Sequence, residues 1–236
     1  MTAIKSDDFC KRLISCATDY KTMYVSGCFG APLIPKTIER YINKNAYNKK
    51  IADKIRECCD DYVKNGVATF GFDCVCLVKG ILWGWYGNDN HIYGGAVYKK
   101  NNIPDFGVNS LATYCTNWSN NFDNIANGEV VWMNGHCGVY VGNGNVVECT
   151  PKWDNKVQIR KLYDRKWARH GKLIFVNYNN YTATDYLKCK RIFLGTYTPT
   201  PEEFNKLDID GDGEITARDY LMIKRIVNGT FEKEGG

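Results

Sequence analysis

Apolar residues recur at helical spacing in three segments of the first third of the chain. We predict helices at 6–19, at about 36–46 and at about 50–64. Ser6 is expected to cap the first helix and Gly66 to end the third, because these residue types satisfy the free backbone groups of helix ends. A short strand is predicted at 23–25, before a stretch rich in glycine and proline.

A fourth helix is predicted to begin after Phe72, with Asp73 as its cap. Apolar residues follow at positions i, i+3, i+4, i+7, i+8 and i+11, namely Cys74, Leu77, Val78, Ile81, Leu82 and Trp85. This spacing places them on one stripe, which we expect to face the core. Cys76 lies about 200° of helical rotation from Cys74, so we expect it to point away from that stripe.

Beyond residue 128 the pattern changes to short alternating runs. Strands are predicted at 129–133, 136–141, 145–149, 157–162 and 172–176. A hairpin turn is predicted at 142–145, where glycine and asparagine alternate. Helices followed by an antiparallel sheet indicate an α+β fold. Residues 87–127 are rich in Asn, Gly and Asp and are predicted to be mostly loop.

The C-terminal part of the chain repeats itself. Segment 184–192 recurs 34 residues later as 218–226, and a glycine follows each copy shortly afterwards. This repeat predicts a two-helix module at about 179–231. We therefore divide the chain into a domain of residues 1–178 and a module of residues 179–236.

Composition narrows the function classes. The formal net charge is +5, and no basic run is interleaved with aromatic residues, so we expect no nucleic-acid partner. The longest apolar runs are far shorter than the roughly 20 residues that span a bilayer, so we expect no membrane insertion. The N-terminus is polar and acidic, which predicts synthesis in the cytoplasm without a signal peptide.

The chain has 11 cysteines. The odd count, the adjacent pair Cys58 and Cys59, and the lack of a predicted signal peptide favour free thiols. No two cysteines have C-x-x-C spacing, so we expect no zinc site and no cofactor for catalysis.

Cys74 is the candidate nucleophile among these cysteines. It is predicted in the first turn of a helix, where the macrodipole and the free N–H groups stabilise a thiolate. A thiolate nucleophile needs a base, which is normally histidine. His136 begins a predicted strand with glycines on both sides, whereas His91 and His170 fall in predicted loops. His136 is therefore the candidate base.

The base needs a polar partner that fixes its tautomer. The predicted hairpin returns the chain beside His136, which makes Glu148 the candidate. The register is not fixed by the sequence, so Glu129 and Asp154 are alternatives.

Four short motifs surround these residues. They are Tyr24-Val25-Ser26-Gly27, Phe72-Asp73-Cys74, His136-x-Gly138-x-Tyr140-x-Gly142-Asn143-Gly144 and Trp167…Gly171-Lys172-Leu173. Their order and spacing over about 8–178 resemble the NlpC family of papain-like cell-wall peptidases, in the branch found in phage lysins. The position of Glu148 is commonly His, Asn or Gln in that family.

This resemblance implies a papain-like domain, with helices packed on an antiparallel sheet, and a hydrolase that cuts an amide bond of bacterial peptidoglycan. Cys74 would attack the amide, His136 would act as base and then as acid, and Glu148 would orient His136. Tyr24 would line the site and hold the oxyanion together with the Cys74 N–H group. Core packing is the alternative role of Tyr24. The setting implied is a phage-type endolysin that reaches the wall after release, as an amidase or an endopeptidase.

Residues 208–219 have the spacing of a calcium loop. Side chains with oxygen atoms occupy loop positions 1, 3, 5, 7, 9 and 12, namely Asp208, Asp210, Asp212, Glu214, Thr216 and Asp219. Gly213 fits the sharp turn at position 6. Position 7 is expected to bind through its backbone carbonyl group and position 9 through water.

With its duplicated helix, the C-terminal module resembles a dockerin, an all-α EF-hand-like domain with two such loops that binds cohesin. In the first copy, Ile174, Val176 and Tyr178 occupy positions 1, 3 and 5, where the second copy has three aspartates. We therefore expect one calcium ion, and a cohesin-like partner is a further implication.

Two other function classes stay open at this point. One is a non-catalytic cohesin-binding or scaffold protein. The other is an acyltransferase on the same fold, which uses the same thiolate chemistry but passes the acyl group to an acceptor other than water.

Overall fold

A computed structural model describes residues 3–178 and 181–227. The chain divides into two units, of which the larger is Ile4–Tyr178 and the smaller contains the C-terminal helices. The larger unit combines helices with strands, so the predicted mixed α+β class is confirmed. Within the described ranges, no helix is both long enough and apolar enough to cross a membrane.

The larger unit has helices and strands in alternation, then mainly strands. Its helices are α1 (Ser6–Thr18), α2 (Ile38–Ile42), α3 (Ala46–Lys50), α4 (Ala52–Asn65) and α5 (Cys74–Leu82). Its strands are β1 (Ile4–Lys5), β2 (Lys21–Tyr24), β3 (Phe29–Pro32), β4 (Thr69–Phe72), β5 (Cys115–Ser119), β6 (Val130–Met133), β7 (His136–Gly142), β8 (Asn145–Thr150), β9 (Lys156–Lys161), β10 (Arg169–Leu173) and β11 (Val176–Asn177). Short 3₁₀ turns lie at Lys100–Asn102, Ser110–Tyr114 and Leu162–Asp164.

Two helix predictions differ from the structure in detail. Lys5, and not Ser6, is the cap residue of α1, and its side chain makes no capping hydrogen bond. The helix predicted at 36–46 is two short helices. The first ends at Ile42 with Asn43 as its cap, and Asn45 caps the second, because its side chain accepts a hydrogen bond from the N–H of Asn48. The third prediction is correct at its end, since Gly66 closes α4 in the left-handed conformation with φ 71°.

The predicted loop at 87–127 and the last predicted strand also need correction. Strand β5 lies within the loop region and pairs with β10 as the edge of the main sheet. The last predicted strand, 172–176, begins earlier, at Arg169. Gly171 in β10 leaves space for the ring of Trp118, because a Cβ atom there would lie 2.9 Å from it. The presence of β5 and the true start of β10 depend on pairing between segments that are distant in the sequence.

Three sheets are present in the described residues. The main sheet has six strands in the order β5-β10-β6-β7-β8-β9, and all neighbours are antiparallel. A second sheet has the order β2-β4-β3, with β2 parallel to β4, and β1 pairs with β11 in a third. The tight turn between β7 and β8 holds Gly142, Asn143 and Gly144 at positive φ, so the predicted hairpin is confirmed.

Helix α5 lies at the centre of the larger unit. It packs against β7 and β8 of the main sheet and also contacts α1 and β3. All nine of its residues are therefore buried, which corrects the prediction of a single buried stripe. Cys76 does not point to solvent, because only 5% of it is exposed.

The smaller unit contains three helices in its described part, one more than predicted. They are α6 (Ala183–Phe193), α7 (Pro201–Leu207) and α8 (Ala217–Val227). The repeated helices α6 and α8 pack together, and the hydroxyl groups of Tyr186 and Tyr220 are 2.9 Å apart. Thr200 caps α7, which was missed although Thr-Pro-Glu-Glu is a helix-start signal. Residues 179–180 and 228–236 of the predicted module lie outside the described ranges.

Candidate active site and calcium loop

The start of α5 fixes the position of Cys74. Strand β4 leads directly into the helix, and Asp73 caps it by accepting a hydrogen bond from the Cys76 N–H group at 2.7 Å. The second carboxylate oxygen of Asp73 accepts from the N–H of Gly27, also at 2.7 Å. Cys74 is thus the first helical residue, where backbone N–H groups are free and the helix dipole favours a negative charge.

The surroundings of Cys74 stabilise its thiolate. A hydrogen bond from the Cys137 thiol is the main cause of a lowered pKa, and a hydrogen bond with His136 acts in the same direction. Burial opposes both effects, yet the pKa of Cys74 falls from 9.0 to about 5.

Cys74 differs in this from the other cysteines. All 11 cysteines lie in the described ranges, and each has a free thiol. The other ten have raised pKa values, with burial as the main cause for nine of them. Burial and the Asp73 charge raise the pKa of Cys76. Electrostatics therefore distinguish Cys74 from Cys76 as the thiol that is ionised near neutral pH.

His136 is the first residue of β7. Its Nε2 atom lies 2.5 Å from Glu148 Oε2, which leaves Nδ1 as the ring nitrogen available to interact with Cys74. The ring stacks on Trp167 at 5.6 Å between centroids and 13° between planes. Burial lowers the pKa of His136, but the hydrogen bonds to Cys74 and Glu148 outweigh it and raise the pKa above its usual 6.5. The imidazolium form is therefore favoured beside the thiolate.

Glu148 lies in β8, beside Gly138 of β7. A Cβ atom at Gly138 would lie 2.7 Å from Val146 Cγ1, 3.0 Å from the Val147 carbonyl oxygen and 3.3 Å from Glu148 Cβ, so the glycine lets the two strands approach closely here. The same oxygen that binds His136 also accepts from Arg165 Nε at 2.7 Å. The other oxygen, Oε1, is buried and has no hydrogen-bond partner among the described residues.

The two alternatives to Glu148 have other partners. Glu129 is buried and paired with His170 Nδ1, while His170 Nε2 is 2.8 Å from the Asn121 carbonyl oxygen. Asp154 forms an ion pair with Lys156 at 3.8 Å. His170 was predicted in a loop, but it is a buried residue of β10, because that strand pairs on both sides.

Tyr24 ends β2 and is partly buried. Its ring packs edge-on against Tyr47 at 5.5 Å. Burial is the main cause of the raised pKa of Tyr24, and the charges of Asp73 and Cys74 add to it. The phenol is therefore neutral at physiological pH and lies within the electrostatic reach of Cys74.

Sequence analysis alone missed two further residues of this site. Cys137 is fully buried beside Cys74, and its only sequence signal is that it follows His136. Arg165 bridges Glu148 and Thr150, with Nη2 3.0 Å from Thr150 Oγ1. Its position depends on a turn that brings 162–167 back over the sheet. The assembled group can take a proton from a thiol and return it to a leaving group.

In the smaller unit, three aspartates converge in the predicted calcium loop. One carboxylate oxygen from each of Asp208, Asp210 and Asp212 lies within 4.8 Å of the others. Asp208 also stabilises the turn of the loop, because its carboxylate accepts hydrogen bonds from the N–H groups of Gly211 and Gly213, at 2.9 and 3.0 Å. Gly211 and Gly213 have φ values of 73° and 87°, so both positions favour glycine. Hard carboxylate oxygens in this arrangement fit calcium.

The remaining predicted ligands do not join this cluster. Asp219 is fully buried and accepts from the N–H groups of Ile209 and Thr216, at 2.8 and 2.9 Å. Thr216 Oγ1 donates to the same carboxylate at 3.1 Å. Glu214 is exposed, as is compatible with binding through its backbone carbonyl group.

The described residues of the first copy place no carboxylate at loop positions 1, 3 and 5, which are Ile174, Val176 and Tyr178. Val176 lies in β11 of the larger unit, and Tyr178 donates a hydrogen bond to the Gly128 carbonyl oxygen at 2.9 Å. Asp185, which corresponds to Asp219, accepts from Lys206 Nζ at 2.8 Å. A lysine ammonium group therefore neutralises the one acidic residue that the first copy retains at these positions.

Comparison with known families bears on the smaller unit. Residues 177–228 match the dockerin type I domain family. This match supports the predictions of a dockerin-like, EF-hand-type calcium module and of a cohesin-like partner for it. No curated protein is significantly similar to the chain.

Proposed function

We propose that the larger unit is a papain-like cysteine hydrolase that cleaves an amide bond of bacterial peptidoglycan. The observation that supports this most is the contact of Cys74 with His136, at a thiol whose pKa is lowered to about 5. The second support is the partner of the base, since the Glu148 carboxylate lies 2.5 Å from His136 Nε2. A nucleophile, a base and an orienting group are the parts that covalent amide hydrolysis needs.

In the proposed mechanism, the Cys74 thiolate attacks the amide carbon. The Cys74 N–H group and the neutral Tyr24 phenol are placed to stabilise the oxyanion. The His136 imidazolium then gives its proton to the leaving amine, and the acyl group stays on sulfur. In the second half, neutral His136 takes a proton from water, which attacks the thioester and releases the carboxylate product. Glu148 keeps the imidazole ring in one orientation throughout.

The substrate class follows from the motif resemblance and from the net charge. A chain with formal charge +5 is attracted to the anionic bacterial wall. We propose a lysin-type role at the wall, with the amide either at the sugar–peptide junction or within the stem peptide. Transfer to an acceptor other than water is the competing reaction of the same thioester.

Digestion of purified Gram-positive peptidoglycan tests this proposal. The full chain is compared with Cys74→Ala and with Cys76→Ala, which removes a buried thiol from the same helix. We expect wild type and Cys76→Ala to release fragments with new amine termini, and Cys74→Ala to release none. His136→Ala should lower the rate by about 10²- to 10⁴-fold.

Mass spectra of the fragments separate the outcomes. A new amine on the stem peptide's first residue identifies an amidase, and one inside the stem identifies an endopeptidase. Masses that include a second amine in place of water identify an acyltransferase. If folded wild type releases nothing from walls of several chemistries, the hydrolase proposal is wrong.

We propose separately that the smaller unit binds one calcium ion and docks to a cohesin-like partner. The convergent oxygens come from Asp208, Asp210 and Asp212. In the first copy, by contrast, Lys206 donates a hydrogen bond to the carboxylate of Asp185. Calcium, when bound, offsets the mutual repulsion of the three carboxylates. The family match at residues 177–228 supports the cohesin-type partner.

Titration calorimetry of the full chain with calcium tests the stoichiometry. We expect one site in wild type, none in Asp208→Asn, and one in the matched control Asp185→Asn. Two sites in wild type would contradict the single-ion proposal. A calcium-dependent pull-down with type I cohesin, in wild type and in Asp208→Asn, tests the partner.

A further inference from the structure

A positively charged aromatic cluster lies next to the partner of the candidate base. Three cationic groups contact the ring of Trp153 at similar distances from its centroid, namely Lys152 Nζ at 4.5 Å, Arg160 Cζ at 4.5 Å and Arg165 Cζ at 4.7 Å. Trp153 is 38% exposed and Lys152 is also exposed, so the cluster is open to a ligand from solvent.

The loop that carries Trp153 reaches both sides of the candidate active site. It connects β8 to β9, and the carbonyl oxygen of its residue Asn155 accepts a hydrogen bond from the Tyr24 N–H group at 3.0 Å. On the other side, the guanidinium group of Arg165 that contacts the Trp153 ring also donates to Glu148 Oε2 at 2.7 Å. The cluster therefore lies beside residues that would act on the amide.

Hydrogen bonds fix the backbone of this loop before Trp153 as well as after it. The Lys152 N–H group donates to Thr150 Oγ1 at 3.2 Å, and Gln158 Nε2 donates to the Lys152 carbonyl oxygen at 3.0 Å. Trp153 has φ 61°, a conformation that costs energy for an aromatic residue and persists only where its surroundings hold it. A ring that is already held in place lowers the entropic cost of binding a ligand.

Most of the net positive charge of the chain is concentrated in this region. Residues 150–166 contain six basic residues and two acidic ones, an excess of four, while the formal net charge of the whole chain is +5. Both acidic residues are already paired, Asp154 with Lys156 and Asp164 with Arg160. Lys152 has no carboxylate partner within the part of the chain that the structure describes. An anionic group of a ligand would supply that partner.

We propose that Lys152 and Trp153 form a subsite that binds a free carboxylate of the wall peptide next to the scissile amide. The Lys152 ammonium group donates a charge-assisted hydrogen bond to the carboxylate, and the Trp153 ring holds the ammonium group in place. Arg160 and Arg165 add positive potential at the same ring. This inference rests on the peptidoglycan substrate proposed above, because the wall peptide is the source of the carboxylate.

Chemical amidation of the wall tests the subsite. Purified peptidoglycan is divided, and the carboxylates of one half are converted to carboxamides with a carbodiimide and ammonia. We expect kcat/KM of the wild-type chain to be about tenfold lower on the amidated wall, because one charge-assisted hydrogen bond is lost. Lys152→Gln should lower kcat/KM about tenfold on the native wall and less than about twofold on the amidated wall. Equal losses on both walls would show that Lys152 does not bind a carboxylate and would overturn the proposal.

Lys161→Gln is the matched control. Lys161 lies at the other end of β9, where its Nζ atom is 3.0 Å from Asn145 Oδ1. This variant removes the same charge from the same region and leaves the cluster intact, so it should keep the wild-type preference for the native wall over the amidated one. Equal losses of that preference in Lys152→Gln and Lys161→Gln would indicate general attraction to an anionic wall, which would also overturn the proposal.

Trp153→Leu tests the contribution of the ring. We expect the preference for the native wall to fall about threefold, which is the size expected for one exposed cation–π contact. The loss should appear in KM, because the ring holds a binding group. A decrease by the same factor on both walls would mean that Trp153 only packs against Arg165, and would remove it from the subsite.

Binding without cleavage separates this inference from the proposed function. Cosedimentation of Cys74→Ala with the native and the amidated wall measures binding alone, and Cys74→Ala with Lys152→Gln is its control. If wild type cleaves both walls equally well, the hydrolase proposal stands and the subsite is wrong. If wild type cleaves neither wall, the hydrolase proposal fails, and the subsite is supported only if Cys74→Ala prefers the native wall and loses this preference with Lys152→Gln.

Discussion

One oxygen of Glu148 serves two cations, since Oε2 lies 2.5 Å from His136 Nε2 and 2.7 Å from Arg165 Nε. Glu148 is only 1% exposed, so this sharing takes place out of water, where charge interactions are strong. Arg165 therefore competes with the imidazolium for the carboxylate. The balance between them sets how firmly His136 keeps its proton.

Glu148→Gln should lower kcat/KM for wall cleavage by at least about tenfold, the equivalent of one pKa unit of lost imidazolium stabilisation. The amide keeps the shape of the side chain and can still accept from His136, so residual activity is expected. Steady-state kinetics and the alkylation rate of Cys74 measure the effect. An unchanged kcat/KM and an unchanged alkylation rate in a folded variant would show that the carboxylate of Glu148 does not act on His136.

Arg165→Met should have opposite effects on stability and on the base. The unfolding free energy should fall by about 3 kcal/mol, because a buried carboxylate loses one of its two cations. The alkaline limit of activity should move to higher pH, because Glu148 then acts on His136 alone. Arg160→Met is the control, since Arg160 pairs with Asp164 at 3.1 Å near the surface and should contribute less than about 1 kcal/mol. A shift to lower pH would contradict the competition argument.

The activity of the wild-type protein should follow a bell-shaped pH profile. The acid limb reports formation of the Cys74 thiolate, whose pKa is lowered to about 5, so kcat/KM should rise through that pH. The alkaline limb reports loss of the His136 proton, and it should lie above 6.5 because the pKa of His136 is raised. A profile that rises only near pH 9 would mean that Cys74 reacts as an ordinary thiol.

Local signals in the sequence were enough to predict some of these features. Asp73 before an apolar helical stripe marked the start of α5, and the Gly-Asn-Gly run marked the β7–β8 turn. Both signals act within a few residues, where capping and positive φ values decide the conformation. The positions of Cys74 and His136 at element starts followed from them.

Features that depend on distant pairing could not be predicted. Strand β5 has few β-branched residues and exists because it pairs with β10, more than 50 residues further on. His170 was predicted in a loop for the same reason, since its strand is defined by partners on both sides. Arg165 and Cys137 reach the site through tertiary packing, for which a single sequence has no periodic signal.

The buried pair of His170 and Glu129 should be important for stability. Glu129 is 4% exposed and His170 5%, and both ring nitrogens of His170 face oxygen acceptors. His170→Ala should lower the unfolding free energy by about 3–5 kcal/mol, because it leaves a buried carboxylate without its partner. All six tryptophans lie in the larger unit, so their fluorescence during urea unfolding reports this unit.

A double variant separates pairing from packing at this site. Replacing both residues by apolar ones, Glu129→Leu with His170→Phe, should recover most of the loss, because no buried charge then remains. If the double variant is as unstable as the sum of the two single ones, the two residues do not act as a pair.

Calcium should stabilise the smaller unit and leave the larger one unchanged. Without a cation, Asp208, Asp210 and Asp212 place negative charges close together, so the loop is expected to open readily. At a calcium concentration 100 times the Kd, the gain is about 2.7 kcal/mol. Hydrogen exchange should then slow in peptides that cover 205–222 and remain constant in those that cover α5. Asp210→Ala should abolish the protection, whereas slower exchange in that variant would locate the ion elsewhere in the chain.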